Sequence, residues 1–177
     1  MLTSLDVSHN LALSTLQGYN NQINSLDVSN NATLSTLHCS GNQLSSLDVS
    51  NNTSLKHLSC ATNQLTSLDV SNNTALTSIY CNNNQLTSLD VSNNPALTRL
   101  DCYSNQLMTL DLGNNTALTQ LFCHDNQLTS LDVSKNTLLY YLYCYRNPNL
   151  TEIWLKTGQS ITNFSYDRSV ATIKYKD

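Results

Sequence analysis

Seven times, starting at Leu2, Ile23, Leu44, Leu65, Leu86, Leu107 and Leu128, the chain repeats a 21-residue unit typified by LTSLDVSNNTALTSIYCNNNQ from Leu65 to Gln85. A unit this short cannot bury its own apolar side chains. Successive units must stack and share one continuous core, so the period itself predicts a solenoid whose stability accumulates from neighbour contacts. Each unit divides into an aspartate half, LTSLDVSNNTA, and a cysteine half, LTSIYCNNNQ, built to the same rule. A leucine opens each half, aliphatics (or Cys) sit at its fourth and sixth positions, and polar or variable residues alternate with them. That is the period-2 signature of a half-buried strand, so both halves are expected to run extended. The ninth position of each half is Asn, whose amide can satisfy buried backbone groups where the chain turns. Two Asn ladders follow, one from Asn10 to Asn136 and the other from Asn21 to Asn147.

Composition removes several function classes. The net charge is -4 with only eight Lys and Arg among 177 residues, so no basic stripe exists to neutralise phosphates and nucleic acid is not an expected partner. Polar residues interrupt every apolar stretch well before the run of about 18 that would span a membrane as a helix. The chain enters its first repeat at Leu2, without a charged-then-apolar leader or a polar cap over the first coil, so it reads as a piece of a longer secreted protein. An uncapped first coil would leave it a monomer or allow end-to-end association. The repeat pattern defines a solenoid over residues 1–155. Residues 156–177 lose the pattern, and the alternation around Val170, Thr172, Ile173 and Tyr175 is expected to give strands that cap the last coil.

The nonamers LSTLHCSGN at Leu34, LTRLDCYSN at Leu97 and LTQLFCHDN at Leu118 resemble the LxxLxCxxN motif of bacterial leucine-rich-repeat proteins. The likeness is to the short, cysteine-bearing subtype of internalin J-like adhesins and Bacteroidetes surface proteins, and it covers Leu2 to about Leu155. The resemblance implies a mainly β, right-handed leucine-rich-repeat solenoid of about seven coils. It further implies a parallel sheet along the cysteine half, extended chain or short β along the aspartate half, and a secreted or cell-surface binding module with no enzymatic activity and no cofactor.

Cys39, Cys60, Cys81, Cys102, Cys123 and Cys144 fall one period apart at an inward strand position, with Gly18 in the first unit. Metal-binding cysteines come in tight pairs such as CxxC, and side-by-side parallel strands hold Cβ atoms farther apart than a disulfide prefers. A column of reduced core thiols is the simplest reading, beside the disulfide and metal alternatives. His38 with His57, and His124 with Asp125 near Asp101, are the side chains that a surface metal or an acid–base pair would use. The column of Asp6, Asp27, Asp48, Asp69, Asp90, Asp111 and Asp132 poses a charge problem, since like charges about 4.8 Å apart repel by about 1 kcal/mol in water. Hydrogen bonds from the adjoining Ser and Thr columns are one solution and calcium is the other. Where neither suffices, repulsion would raise the carboxyl pKa values and mild acid would stabilise the fold.

Where the repeats disagree, recognition has room. The aspartate half hardly changes, with Ser or Thr109 at its third position and Asp always at its fifth. The cysteine half varies at every outward position. The third reads Thr15, Thr36, His57, Ser78, Arg99, Gln120 and Tyr141; the fifth Gln17, His38, Ser59, Tyr80, Asp101, Phe122 and Tyr143; the seventh Tyr19, Ser40, Ala61, Asn82, Tyr103, His124 and Tyr145. A rigid sheet with diversified side chains is how a solenoid presents a binding surface. The candidate ligand-binding residues are therefore Tyr80, Arg99, Asp101, Tyr103, Phe122, His124, Tyr141, Tyr143 and Tyr145. Protein is the expected ligand, with a glycan stacking on the aromatic patch as the alternative. A cap folded over Tyr141 to Tyr145 would instead bury them.

Overall fold

The computed structural model describes residues 1–177. It is a right-handed leucine-rich-repeat solenoid of about eight coils, without helices. Each coil contributes one short strand from its cysteine half: β1 (Thr15–Gln17), β2 (Thr36–His38), β3 (His57–Ser59), β4 (Ser78–Tyr80), β5 (Arg99–Asp101), β6 (Gln120–Phe122) and β8 (Tyr141–Tyr143). Neighbours pair in parallel with strict column register, Thr15 opposite Thr36 and Leu16 opposite Leu37. Register cannot slip, because a one-residue shift would carry every core leucine to the solvent side.

The aspartate half is extended but forms a ladder only at the C-terminal end, where β7 (Ser130–Asp132), β9 (Glu152–Lys156) and β11 (Thr172–Lys176) make a second parallel sheet in the order β11-β9-β7. In the earlier coils the aspartate carboxylate takes up a local amide: Asp27 Oδ1 accepts from the Ser29 N–H at 2.9 Å, and the pattern recurs at Asp48, Asp69 and Asp90. Trp154 replaces the aspartate in β9, and there the backbone pairs, with the Val133 N–H donating to the Trp154 carbonyl at 2.9 Å.

The segment after Leu155 continues the winding. The strand β10 (Asn163–Ser165) adds to β8 with Asn163 opposite Tyr141, and β11 adds to β9 with Thr172 opposite Glu152. Lys176 reaches across to pair with Asp132 and lies 5.7 Å from the Trp154 ring, which ties the last strand back to the aspartate column.

Forty-two buried side chains form one core running the length of the molecule. The six thiols are free and buried in a single column within it. Burial pushes Cys39, Cys102 and Cys144 up to about 12 and raises Cys60, Cys81 and Cys123 well above the usual thiol value, so none is a thiolate at neutral pH.

The two Asn ladders hold the coils in different ways. In the cysteine half, Asn42 donates to the carbonyls of Cys39 in its own coil and Gly18 in the preceding one, both at 2.9 Å, while its Oδ1 accepts the Ile23 amide at 3.0 Å. In the aspartate half, Asn52 donates to the carbonyls of Val28 and Asn31, and its buried Oδ1 has no partner.

The residue before each cysteine-half Asn adopts a left-handed backbone: Asn20, Thr62, Asn83, Ser104, Asp125 and Arg146 at φ 51 to 54°, and Gly41 at 68°. This kink turns the ladder amide inward. A β-branched residue suits it worst, so Thr62→Gly is expected to stabilise the protein by about 1 kcal/mol in denaturant melts. Gly41→Ala is expected to do the reverse, because a Cβ there would lie 2.4 Å from Asn20 Oδ1.

The aspartates answer the charge problem by hydrogen bonding, the first of the two solutions expected, so the condition under which repulsion would raise their pKa values is not met. The hydroxyl and amide of the serine two residues on hold Asp6, Asp27, Asp48, Asp69 and Asp90 below the usual carboxylate value of 3.8. A carboxylate whose folded pKa is depressed binds fewer protons folded than unfolded, so its stabilisation is complete above 3.8 and is lost as the pH falls through the folded value. Stability is thus expected to drop on acidification below about pH 4, and Ser29→Ala with Ser50→Ala to flatten that drop. Melts from pH 7 to pH 3 would contradict this by showing mild acid to be stabilising.

Candidate recognition face

The variable columns all lie on the outward side of the eight-stranded sheet, and the structure divides them into two regions. Toward the N-terminal end, Thr36, His38, His57, Ser59, Ser78 and Tyr80 line a shallow open hollow. His57 Nδ1 lies 2.8 Å from the Ser78 hydroxyl. Toward the C-terminal end the surface is aromatic, and its side chains fix one another.

Arg99 is the hinge between the two regions. Its Nε and Nη2 donate to Asp101 Oδ1 and Oδ2, both at 2.9 Å, and its Nη1 donates to Gln120 Oε1 at 3.0 Å. The same guanidinium lies 5.0 Å from the Tyr80 ring and 5.0 Å from the Phe122 ring, a cation held between two aromatic faces in adjacent coils. Hydrogen bonds to Asp101 raise the Arg99 pKa further, so the charge is permanent. Asp101 itself is only 6% exposed with both oxygens engaged. Its carboxylate holds the Arg99 guanidinium in place from beneath the surface.

Below that hinge runs a stack of three rings down the seventh column. Tyr103 and His124 lie 4.4 Å apart at 9°, and His124 and Tyr145 lie 4.5 Å apart at 19°. The parallel spacing of the strands brings equivalent side chains one coil apart within contact, and in this column the rings meet face to face. Burial between the two tyrosines lowers the His124 pKa against the opposing pull of Asp125, and its Nδ1 is buried without a partner. His124 Nε2 is 3.8 Å from Asp125 Oδ2, and Arg146 approaches the other Asp125 oxygen at 3.5 Å. No three His, Cys, Asp or Glu side chains converge as a metal site would require.

The fifth column joins the two. Phe122 and Tyr143 meet edge to face at 5.2 Å and 88°, and Tyr141 meets Tyr143 at 6.3 Å and 82°. Tyr141, Tyr143 and Tyr145 are half-buried, chiefly by one another: the strand beyond them, β10, sets Asn163 beside Tyr141 and Ser165 beside Tyr143. Tyr140 extends the patch, 5.0 Å from Tyr141 and accepting from Gln120 Nε2 at 2.7 Å through its hydroxyl. It lies outside the alternating outward columns, in one otherwise filled by Ser14, Ser35, Lys56, Thr77, Thr98 and Thr119. An aromatic in a hydroxyl and lysine column was the signal.

No family profile matches the sequence, and no curated protein matches it. Among solved structures, the functional domain of InlJ from Listeria monocytogenes, which includes a cysteine ladder, superposes with a TM-score of 0.80 and 38% identity over 87% of this chain. The chain is a leucine-rich-repeat protein of the cysteine-ladder kind. A leucine-rich-repeat protein from Leptospira interrogans (TM-score 0.70, 18% identity, 91% of this chain) and an internalin, InlF, from Listeria monocytogenes (0.66, 20%, 97%) share the fold. This leucine-rich-repeat chain spans 37% of the InlJ chain, 54% of the Leptospira chain and 58% of the InlF chain. None of its elements is a helix long and apolar enough to cross a membrane.

Proposed function

We propose that the chain is a non-enzymatic protein-recognition module of a secreted or surface protein, acting in adhesion through the outward face of the cysteine-half sheet. The supporting observation is the concentration of aromatic and charged variety on one face, where it forms a preorganised aromatic surface around Arg99. Amphipathic rings held on a rigid sheet give large contact area at small entropic cost, which is what interface hot spots require. The internalin likeness points the same way. A glycan is the weaker candidate, because sugar hydroxyls call for free carboxylates and both Asp101 oxygens are already taken.

The test is selection of binders from a displayed protein library against the immobilised chain, followed by substitution on both faces. Phe122→Ala and Tyr143→Ala are each expected to weaken binding by about 1–3 kcal/mol with little change in the melt. Loss of binding on replacing Ser67, Asp69 or Ser71, with Phe122 and Tyr143 indifferent, would put recognition on the wrong face for this reading.

A further inference from the structure

The hydrogen-bonding inventory of the aromatic patch is lopsided. A guanidinium carries five N–H donors, and Arg99 uses three, two on Asp101 and one on Gln120, with its side chain 35% exposed. Two donors are left for a ligand. The strong acceptors nearby are engaged: both Asp101 oxygens and Gln120 Oε1 face Arg99, and the Asp125 oxygens face Arg146 and His124. Tyrosine hydroxyls supply what remains. Charge is balanced in the same way, Arg99 against Asp101 and Arg146 against Asp125. The patch therefore offers donors, few acceptors and no net charge.

A partner complementary to that surface presents carbonyl oxygens, carries few N–H groups and is uncharged. An ordinary extended peptide would bring one amide N–H per residue, for which the patch offers only tyrosine hydroxyls as free acceptors. A carboxylate ligand would meet Asp101 across the shared guanidinium. Proline has no N–H, and the polyproline helix keeps its carbonyls free of internal bonds. The shape agrees with the chemistry. Phe122 against Tyr143 at 88° and Tyr141 against Tyr143 at 82° set ring faces beside ring edges, making corners against which a compact, puckered pyrrolidine ring can pack. Both partners are stiff before they meet, so little conformational entropy is lost.

We propose that the docking segment of the partner is an uncharged, proline-rich stretch in polyproline conformation, seated on Phe122, Tyr141 and Tyr143 with a main-chain carbonyl on the two free N–H groups of Arg99. This rests on the reading of the face as a protein-recognition surface and names the chemistry it takes.

The sequence has three arginines, Arg99, Arg146 and Arg168, so their side-chain Nε–H signals are readily resolved in an isotope-labelled sample. Acetyl-hexaproline amide titrated into the full chain is expected to move the Arg99 signal saturably and to leave Arg168 in place. Hexaglutamate and cellohexaose are expected to leave Arg99 unmoved. Tyr143→Ala, and separately the double substitution Arg99→Gln with Asp101→Asn, which removes the guanidinium fork without stranding a buried charge, are each expected to weaken hexaproline binding about tenfold, read from the backbone amide signals of β6 and β8. Tyr143→Leu serves in place of Tyr143→Ala if the latter fails to fold. An unmoved Arg99 signal, indifference to these substitutions, or a tighter response to hexaglutamate or cellohexaose overturns the proposal. Library binders that lack proline but are lost with Tyr143→Ala would overturn the proline assignment alone. Absence of any binder sensitive to Tyr143 would overturn the recognition reading with it.

Discussion

Asn126→Ala is expected to cost about 4 kcal/mol of stability, more than any replacement of a surface tyrosine. The Asn126 amide donates to the carbonyls of Cys102 at 3.0 Å and Cys123 at 3.2 Å, and its Oδ1 accepts the Leu107 N–H at 3.0 Å. Alanine leaves the buried Leu107 N–H without a partner, at about 1–3 kcal/mol, and removes one of the two hydrogen bonds at each carbonyl, at about 1 kcal/mol apiece, while Asn105 still donates to Cys102 and Asn147 to Cys123. Water cannot easily replace the side chain, because Asn126 is only 4% exposed. Asn115→Ala in the other ladder provides the comparison. Asn115 bonds only the carbonyls of Val91 and Asn94 and already leaves its own Oδ1 unpaired, so its replacement is expected to cost about half as much. Denaturant melts of the two variants check the ranking, and equal losses would mean that the two ladders are equivalent clamps.

The second large effect is expected from Leu100→Ala, at about 3–5 kcal/mol. Leu100 is fully buried beneath the recognition face, in register with Ile79 on one side and Leu121 on the other. Its neighbours belong to the stacked columns and cannot close over the missing methyl groups without breaking the sheet register. Because each coil contacts only its neighbours, the loss is expected to be local: amide exchange should quicken in β4, β5 and β6 well before β1. Arg99 and Asp101 flank Leu100 in β5, so the same substitution should loosen the cation between Tyr80 and Phe122. Uniform acceleration along the whole chain would show that the array unfolds as one unit.

The period of the repeat made the solenoid, the thiol column and both Asn ladders legible, because each is a one-dimensional consequence of identical units in register. What depends on two coils that differ was not legible. Arg99 and Asp101 are two positions apart in one strand, and nothing in their spacing says that the guanidinium folds back onto the carboxylate while two rings from neighbouring coils hold it flat. In the aspartate column, hydrogen bonding by neighbouring hydroxyls was legible as one of two solutions, but the resulting fall in carboxyl pKa was not, because it depends on each carboxylate being satisfied within its own coil by the serine two residues on. The left-handed residue before each cysteine-half Asn was hidden because Gly occupies it once, at Gly41, and Asn, Thr, Ser, Asp and Arg fill it elsewhere. At the C-terminal end, Phe164 and Trp154 replace the leucine and the aspartate of the repeat, and pairing to β8 and β7 spans 22 residues instead of 21. That broke the pattern on the page while the chain went on winding.

The central claim is that one face of this solenoid recognises a partner and the other does not. Amide hydrogen exchange on the full chain, with and without a binder obtained by library selection, tests it most directly. Added protection is expected along β4, β5, β6 and β8, strongest around Tyr80, Phe122 and Tyr143, and none along the segments carrying Asp48, Asp69 and Asp90. Protection confined to those aspartate segments, with the aromatic strands unchanged, would contradict it.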